Sequence, residues 1–313
     1  MKAGTATVVK NAGSHFLLSE LPLWQPFPAV LKGKVRLLRS EATNPVAVGD
    51  RVRYELDEGA EDQVATISEV LERKNYVIRK STNLSRQSHV IAANLDQAVL
   101  AVSLFFPEIK LSFLDRLLVT CEVYGVKPLI VLNKVDLYRD EARDAVENFV
   151  GIYTGAGYRV LQTSCKTGEG IEELREACRD RISLISGESG VGKSSLIKAL
   201  DPALTPKIGR ISLANQQGKH TTSLYEMYPL CFGGFLIDSP GLRGFGLVDL
   251  GKEEIALYFP EMLRAAKDCR FTPCTHTHEP GCAVKEAVDR GTISPERYNS
   301  YLGMLEEDTK FRQ

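Results

Sequence analysis

Residues 183–200 read SLISGESGVGKSSLIKAL. The centre, Gly187-Glu188-Ser189-Gly190-Val191-Gly192-Lys193-Ser194, fits the phosphate-loop pattern G-x-x-x-x-G-K-[ST]. The apolar run Ile182–Ser186 before it reads as a strand, and Ser194–Leu200 after it as a helix, which is the setting this loop requires. Glycines at 187, 190 and 192 let backbone N–H groups turn inward around a β-phosphate. The helix N-terminus favours the same anion. Lys193 is placed to reach the β- and γ-phosphates and Ser194 to ligate Mg²⁺; Glu188, Ser189, Val191 and Ser195 complete the binding loop.

Other loops carry chemistry suited to the same ligand. Asn133-Lys134-Val135-Asp136 ends the apolar run KPLIVLN, and the C-terminal edge of a parallel sheet is where nucleotides bind. Guanine presents N1–H and its exocyclic amine side by side, and the Asp136 carboxylate can accept both. Adenine has an acceptor at N1, so a site built this way rejects it. Asn133 is expected to brace the loops and Lys134 to lie along the base. Ser164-Cys165-Lys166 closes the next strand, YRVLQTS, and resembles an S-A-K loop whose backbone N–H meets guanine O6, with Cys165 in place of alanine. Asp238-Ser239-Pro240-Gly241 fits D-x-x-G: the Asp holds Mg²⁺ through water and the Gly241 amide meets the γ-phosphate. Residues 210–222, RISLANQQGKHTT, are polar and read as a loop. There Thr221 or Thr222 supplies a second hydroxyl to Mg²⁺, with Thr222 preferred. The residue after Gly241 is Leu242, where many GTPases place a water-orienting Gln. His220 is the nearest candidate catalytic group, with Gln216 and Gln217 as others.

The order is therefore N-K-x-D, S-C-K, phosphate loop, H-T-T, D-x-x-G, whereas most such domains begin at the phosphate loop. Moving the base-reading half to the front yields this order, and the strands can still pair in one sheet. From residue 95 onward, apolar strands alternate with helical patterns, which implies a parallel sheet covered on both faces. The fold class is α/β at its centre, a circularly permuted P-loop GTPase domain over residues 95–248.

Before it, residues 1–75 carry five short strand patterns: GTATVVK, HFLLSE, GKVRLLRSE, GDRVRYELDE and DQVATISEVL. Asn11-Ala12-Gly13-Ser14 marks a hairpin turn. This suggests a small barrel of the oligonucleotide-binding (OB) type, with an SH3-like barrel as the rival. Residues 76–94 are expected to be a linker. It belongs to a basic stretch, RKNYVIRKSTNLSR, that is either a solvated connector or a phosphate-contacting segment. Residues 249–313 read as helices around Cys269, Cys274, His276 and Cys282, a donor set that Zn²⁺ favours in a closed, structural site. His278 is a rival to His276 as the imidazole ligand.

Composition bounds these readings. A chain of 313 residues suggests two or three domains. Net charge is −1, so RNA contact needs local patches rather than global basicity. Seven scattered or metal-spaced cysteines argue against a disulfide framework. Neither a membrane span nor a signal peptide is apparent, so a cytoplasmic protein is expected.

The permuted motif order, GESGVGKSS, GKHTT, DSPG and the CTHTHEPGC run after Cys269 together resemble the RsgA (YjeQ/YloQ) family of circularly permuted GTPases. The resemblance covers nearly the whole chain. It implies an OB barrel, a permuted GTPase domain and a zinc-binding domain. It also implies GTP hydrolysis stimulated by the 30S ribosomal subunit in its late maturation, with barrel and zinc domain touching rRNA. A monomer is expected. Two other readings stay open: a metabolic ATPase in which Asp136 is incidental, and a nucleotide-gated RNA-binding protein with negligible hydrolysis.

Overall fold

The computed structural model describes residues 2–31, 45–57, 59, 63–80, 88–138, 142–204, 225–238 and 250–307. Strands β1 (Lys2–Asn11), β2 (His15–Ser19), β3 (Phe27–Leu31), β4 (Arg51–Leu56) and β5 (Ala65–Val70) close into a barrel in the order β1-β2-β3-β5-β4. Alternation builds it: Val52 and Tyr54 of β4 point into the barrel core while Arg51 and Arg53 face water. β3 runs parallel to β5 and the other neighbours are antiparallel. That pairing is the OB arrangement and excludes the SH3-like rival, which is antiparallel throughout. The Asn11–Ser14 turn forms as expected, with Asn11 Oδ1 accepting the Gly13 N–H at 2.9 Å. The expected strand at residues 33–41 lies outside the described residues. The third strand instead contains Pro28, which cannot donate to a ladder and so disguises a strand in the sequence.

Both ends of the expected linker form strands. β6 (Tyr76–Lys80) and β7 (Ser88–Ala93) pair antiparallel, while residues 81–87 lie outside the described residues. The hairpin is stitched to both neighbours. The Ala93 N–H donates to Val48 O at 2.9 Å, and Asn94 Nδ2 donates to Gly49 O at 2.9 Å. Asn75 Nδ2 donates to Leu95 O at 2.8 Å and to Gly125 O at 3.2 Å. Gly49 has φ +89°, and a Cβ there would lie 2.0 Å from Ala93 O, so only glycine allows this approach.

The central sheet holds β8 (Gln97–Val102), β9 (Lys127–Asn133), β10 (Arg159–Thr163), β11 (Ile182–Gly187), β12 (Met227–Pro229) and β13 (Phe235–Asp238). Its order is β10-β9-β8-β11-β13-β12, parallel except for β12. The chain walks from the centre to one edge, jumps back to β11 beside β8, then fills the other edge. Counting from β11 instead gives a sheet that starts at the phosphate loop, which is the permutation seen in strands. Helices α1 (Leu111–Tyr124) and α2 (Arg143–Ala156) cover one face; α3 (Ile171–Cys178) and α4 (Lys193–Leu200) cover the other. β8 is buried on both faces, with Leu100 and Val102 on the α1 side and Val99 and Ala101 on the α4 side.

The C-terminal module contains α5 (Lys252–Ile255), α6 (Pro260–Ala265), α7 (Ala283–Asp289) and α8 (Pro295–Glu307). The helical pattern of residues 257–268, LYFPEMLRAAKD, breaks at Pro260, which lacks an N–H and starts α6 after a 3-10 turn. Ser294 caps α8 by accepting the Arg297 N–H at 3.3 Å. The module packs on α1: Val119 shares a core with Ile255, Phe259, Met262 and Tyr301.

A buried ion cluster locks this interface. Arg297 of α8, 1% exposed, donates Nη1 to Asp115 Oδ1 of α1 at 2.8 Å and Nε to Glu261 Oε1 of α6 at 2.7 Å. Its guanidinium lies 4.6 Å from the Phe259 ring centre. Among the described residues, no helix is long and apolar enough to cross a membrane.

Candidate functional site

The base-reading and phosphate loops meet at the C-terminal edge of the sheet. Asn133 ends β9, Ser164 follows β10, Gly187 ends β11 and Asp238 ends β13. Asn133 is buried and acts as the keystone. Its Nδ2 donates to Val191 O of the phosphate loop at 2.9 Å, while its Oδ1 accepts the Thr163 hydroxyl at 3.1 Å. Cys165 Sγ approaches the same oxygen at 3.8 Å. Lys134 Nζ donates to Gly190 O and to Phe106 O, each at 2.6 Å. The two halves of the rotated sequence are therefore in direct contact.

Asp136 sits on a 3-10 turn, Val135–Leu137, where its Oδ1 accepts the Ser164 hydroxyl at 2.6 Å. Ser164 Oγ in turn accepts the N–H groups of Lys166 and Thr167 at 3.2 Å. Beside these groups lies an open groove of about 550 Å³ lined by Asn133, Lys134, Asp136, Cys165, Lys166, Gly192 and Ser195, with Leu137, Lys198 and Ala199 completing the walls. Gly192 has φ +96°, and a Cβ there would fall 2.5 Å from Asn133 Nδ2. Its lack of a side chain is what lets the two loops touch.

On the phosphate side, Lys193 Nζ donates to Gly187 O at 2.7 Å. Burial holds the Lys193 pKa below its ordinary value, opposed by the Asp238 charge. Burial likewise raises the Asp238 carboxyl, opposed by Lys193. Asp238 Oδ1 is buried with no hydrogen-bond partner among the described residues. An unpartnered carboxylate oxygen within electrostatic reach of Lys193, the first residue of α4, suits a hard cation such as Mg²⁺, which takes oxygen ligands. Thr221, Thr222, His220 and Gly241 lie outside the described residues.

The C-terminal cluster is compact. Ligand atoms of Cys269, Cys274, His276 and Cys282 all lie within 4.8 Å of one another. A tetrahedral ion with bonds of about 2.3 Å to sulfur and about 2.0–2.1 Å to nitrogen spaces its ligands about 3.8 Å (S to S) and about 3.5 Å (S to N) apart. Cys269 Sγ stands 3.9 Å from Cys282 Sγ and 3.6 Å from His276 Nδ1, which is 3.4 Å from Cys282 Sγ. The donor set and the spacing both fit a metal. His276 is buried, whereas His278 is exposed and engages Thr277 Oγ1 at 2.9 Å. Tyr298 and Tyr301 hold the loop by donating to His276 O and Thr275 O, each at 2.6 Å.

Residues 70–248 match the family model described as RsgA GTPase. The chain belongs to the RsgA GTPase family. It is 45% identical over 307 residues to the small ribosomal subunit biogenesis GTPase RsgA of Bacteroides fragilis, covering 97% of this chain and 98% of that one. The protein of the same name from Flavobacterium psychrophilum is 44% identical, over 97% and 93% of the two chains. Among solved structures, YjeQ from Thermotoga maritima superposes with a TM-score of 0.80 at 33% identity, over 98% of both chains. YloQ, titled a circularly permuted GTPase, superposes at 0.74 with 25% identity, over 100% of this chain and 96% of that one.

Against the RsgA-type motifs, sequence reasoning missed several contributors. Thr163 steadies Asn133, Leu137 and Lys198 wall the groove, and Tyr138 hydrogen-bonds the Asn133 carbonyl. None carries a local signature. Each is defined by what it meets in space.

Proposed function

We propose that this chain hydrolyses GTP to GDP and phosphate on the small (30S) ribosomal subunit, in that subunit's late maturation. The observation carrying this reading is the cross-contact of the rotated halves, Asn133 on Val191 O and Lys134 on Gly190 O. The relatives' name, small ribosomal subunit biogenesis GTPase, supplies the subunit.

In this reading Asp136 accepts guanine N1–H and N2–H, while Lys134, tethered at its tip, lays its stem along the base. The Lys166 and Cys165 backbone faces O6. Backbone N–H groups of Gly187–Ser195 surround the phosphates, and Lys193 leaves Gly187 O to neutralise the β- and γ-oxygens. Ser194, Thr222 and Asp238 would hold Mg²⁺, which would supply charge neutralisation at the phosphates. Gly241 meets the γ-phosphate. His220 is assigned the positioning of the attacking water, because Leu242 cannot orient one. Zn²⁺ is the ion assigned to the Cys269–Cys282 cluster, in a structural role since four protein donors leave no open position. The protein is assigned as a cytoplasmic monomer whose barrel and metal module contact rRNA.

The test is GTP hydrolysis with and without purified 30S subunits, in wild type and Lys193→Ala. Slow basal turnover, large stimulation by subunits and loss of both in the variant are expected. No phosphate release even with subunits would replace this reading with that of a nucleotide-gated RNA-binding protein.

A further inference from the structure

Lys134 occupies the left-handed region, φ 67° and ψ 32°, which a side-chain-bearing residue adopts only when its surroundings hold it there. Asn133 and Lys134 are held toward the phosphate loop by side-chain bonds, yet those bonds do not fix the far end of the turn. Tyr138 does. Its side chain is 3% exposed, and its hydroxyl donates to the Asn133 backbone carbonyl, closing the turn from end to end. Its ring packs edge-on against Phe105, with centroids 5.6 Å apart and planes at 77°. Ser103 and the Leu104 amide, just after β8, face its phenol. The neighbouring Phe106 carbonyl takes the Lys134 ammonium. The turn that carries Asp136 is thus pinned at both ends to the segment following β8.

We propose that Tyr138 is a positioning residue for base recognition: it holds the Asn133–Tyr138 turn in the one shape that presents Asp136 to the guanine edge. It touches no part of the nucleotide. This rests on the guanine-nucleotide reading of the groove. Without the hydroxyl, the Asn133 carbonyl loses its partner and the left-handed Lys134 loses a restraint. The carboxylate of Asp136 then samples orientations in which it meets one guanine donor instead of two. Phosphate contacts, made by a separate loop, are unaffected.

The experiment titrates GDP, IDP and ADP against wild type, Tyr138→Phe and Phe105→Leu, by competition with a fluorescent nucleotide, alongside thermal unfolding. IDP lacks the exocyclic amine, so the GDP-to-IDP ratio reads the second Asp136 contact. In wild type, GDP binds more tightly than IDP, and IDP more tightly than ADP; a wild type with no GDP preference would sink the guanine reading itself. In Tyr138→Phe, GDP affinity falls about tenfold, one hydrogen bond's worth, while ADP affinity stays within about twofold and the GDP-to-IDP ratio drops. An unchanged ratio, or a proportional fall for all three nucleotides, overturns the proposal. Should Tyr138→Phe fail to fold, Phe105→Leu keeps the hydroxyl and removes its packing partner. It is expected to lower the same ratio about threefold, and an unchanged ratio there overturns the proposal equally.

Discussion

Arg297 offers a severe test of how the metal module is attached. Replacing it by Met keeps much of the side-chain volume and removes the charge. The change deletes the bonds to Asp115 Oδ1 and to both Glu261 oxygens, at 2.7–3.2 Å. It leaves two carboxylates with side chains only 0% and 4% exposed, now lacking their cation. Breaking a buried pair by removing one partner costs about 3–5 kcal/mol, because the remaining charge is stranded. At roughly 2–4 °C per kcal/mol for a unit of this size, the unfolding transition that includes α1 falls by about 6–20 °C. A pH series separates stranded charge from lost packing. Burial already raises the Asp115 carboxyl above its ordinary value, with Arg297 the main opposing influence. Deleting Arg297 raises it further. A carboxyl whose folded pKa exceeds its unfolded value binds more protons when folded, so its contribution is greatest in acid and is lost as pH rises through the raised value. The gap between wild type and Arg297→Met should therefore widen as pH rises above the ordinary carboxylate range. The triple variant Arg297→Met, Asp115→Asn, Glu261→Gln should recover most of the loss. A gap that is pH-independent, or a triple variant no better than the single one, would refute the argument from stranded charge.

Three further outcomes are expected. Gly192→Ala places a methyl 2.5 Å from Asn133 Nδ2 at a φ of +96°, and should weaken GDP binding about tenfold or more by fluorescence titration; wild-type affinity would contradict the close approach. Asp136→Asn exchanges an acceptor for a donor, so GTP affinity should fall about a hundredfold while a xanthine nucleotide, with a carbonyl at C2, binds better than it does to wild type. Removing metal with a chelator after thiol modification should release one ion per chain and lower the first unfolding transition. Cys274→Ser should do likewise, and a purified chain with no bound metal would contradict the geometry of the cluster.

The loops were legible because their chemistry restricts residue type at fixed spacing. A glycine-rich turn ending in Lys193-Ser194, or an Asn–Asp pair four positions wide, has few other uses. The candidate metal set was legible for the same reason, and burial favours His276 over His278. What stayed hidden depends on distance in space. Arg297 meets Asp115 across 182 positions, and nothing near either residue announces the other. β3 was hidden by Pro28. The β6–β7 pair was hidden by its charge, since a run of Lys and Arg resembles a solvated connector until the pairing of the two strands is known.

Permutation explains why the flanking modules sit where they do. In an unrotated domain the segment after D-x-x-G leads to the strand that is β8 here. In this chain residues 239–249 lead instead to α5 and the metal module, so the γ-phosphate motif is joined directly to that module. On the other side, residues 205–224, which hold Thr221 and Thr222, lead into β12. The barrel meets that edge: Lys10 pairs with Glu226 at 3.0 Å and Trp24 packs on Phe235 at 5.7 Å. Each module is therefore next in sequence, or next in contact, to one of the two segments assigned to the γ-phosphate. If both modules grip rRNA and these segments bias them, loss of that phosphate alters the grip, because a ligand shifts an equilibrium only through contacts that differ between states. Sedimentation of the chain with 30S subunits should then show tighter association with a non-hydrolysable GTP analogue than with GDP. Equal association would mean that the two segments end their influence at the nucleotide, and that the rotation of the sequence carries no signal to the flanking modules.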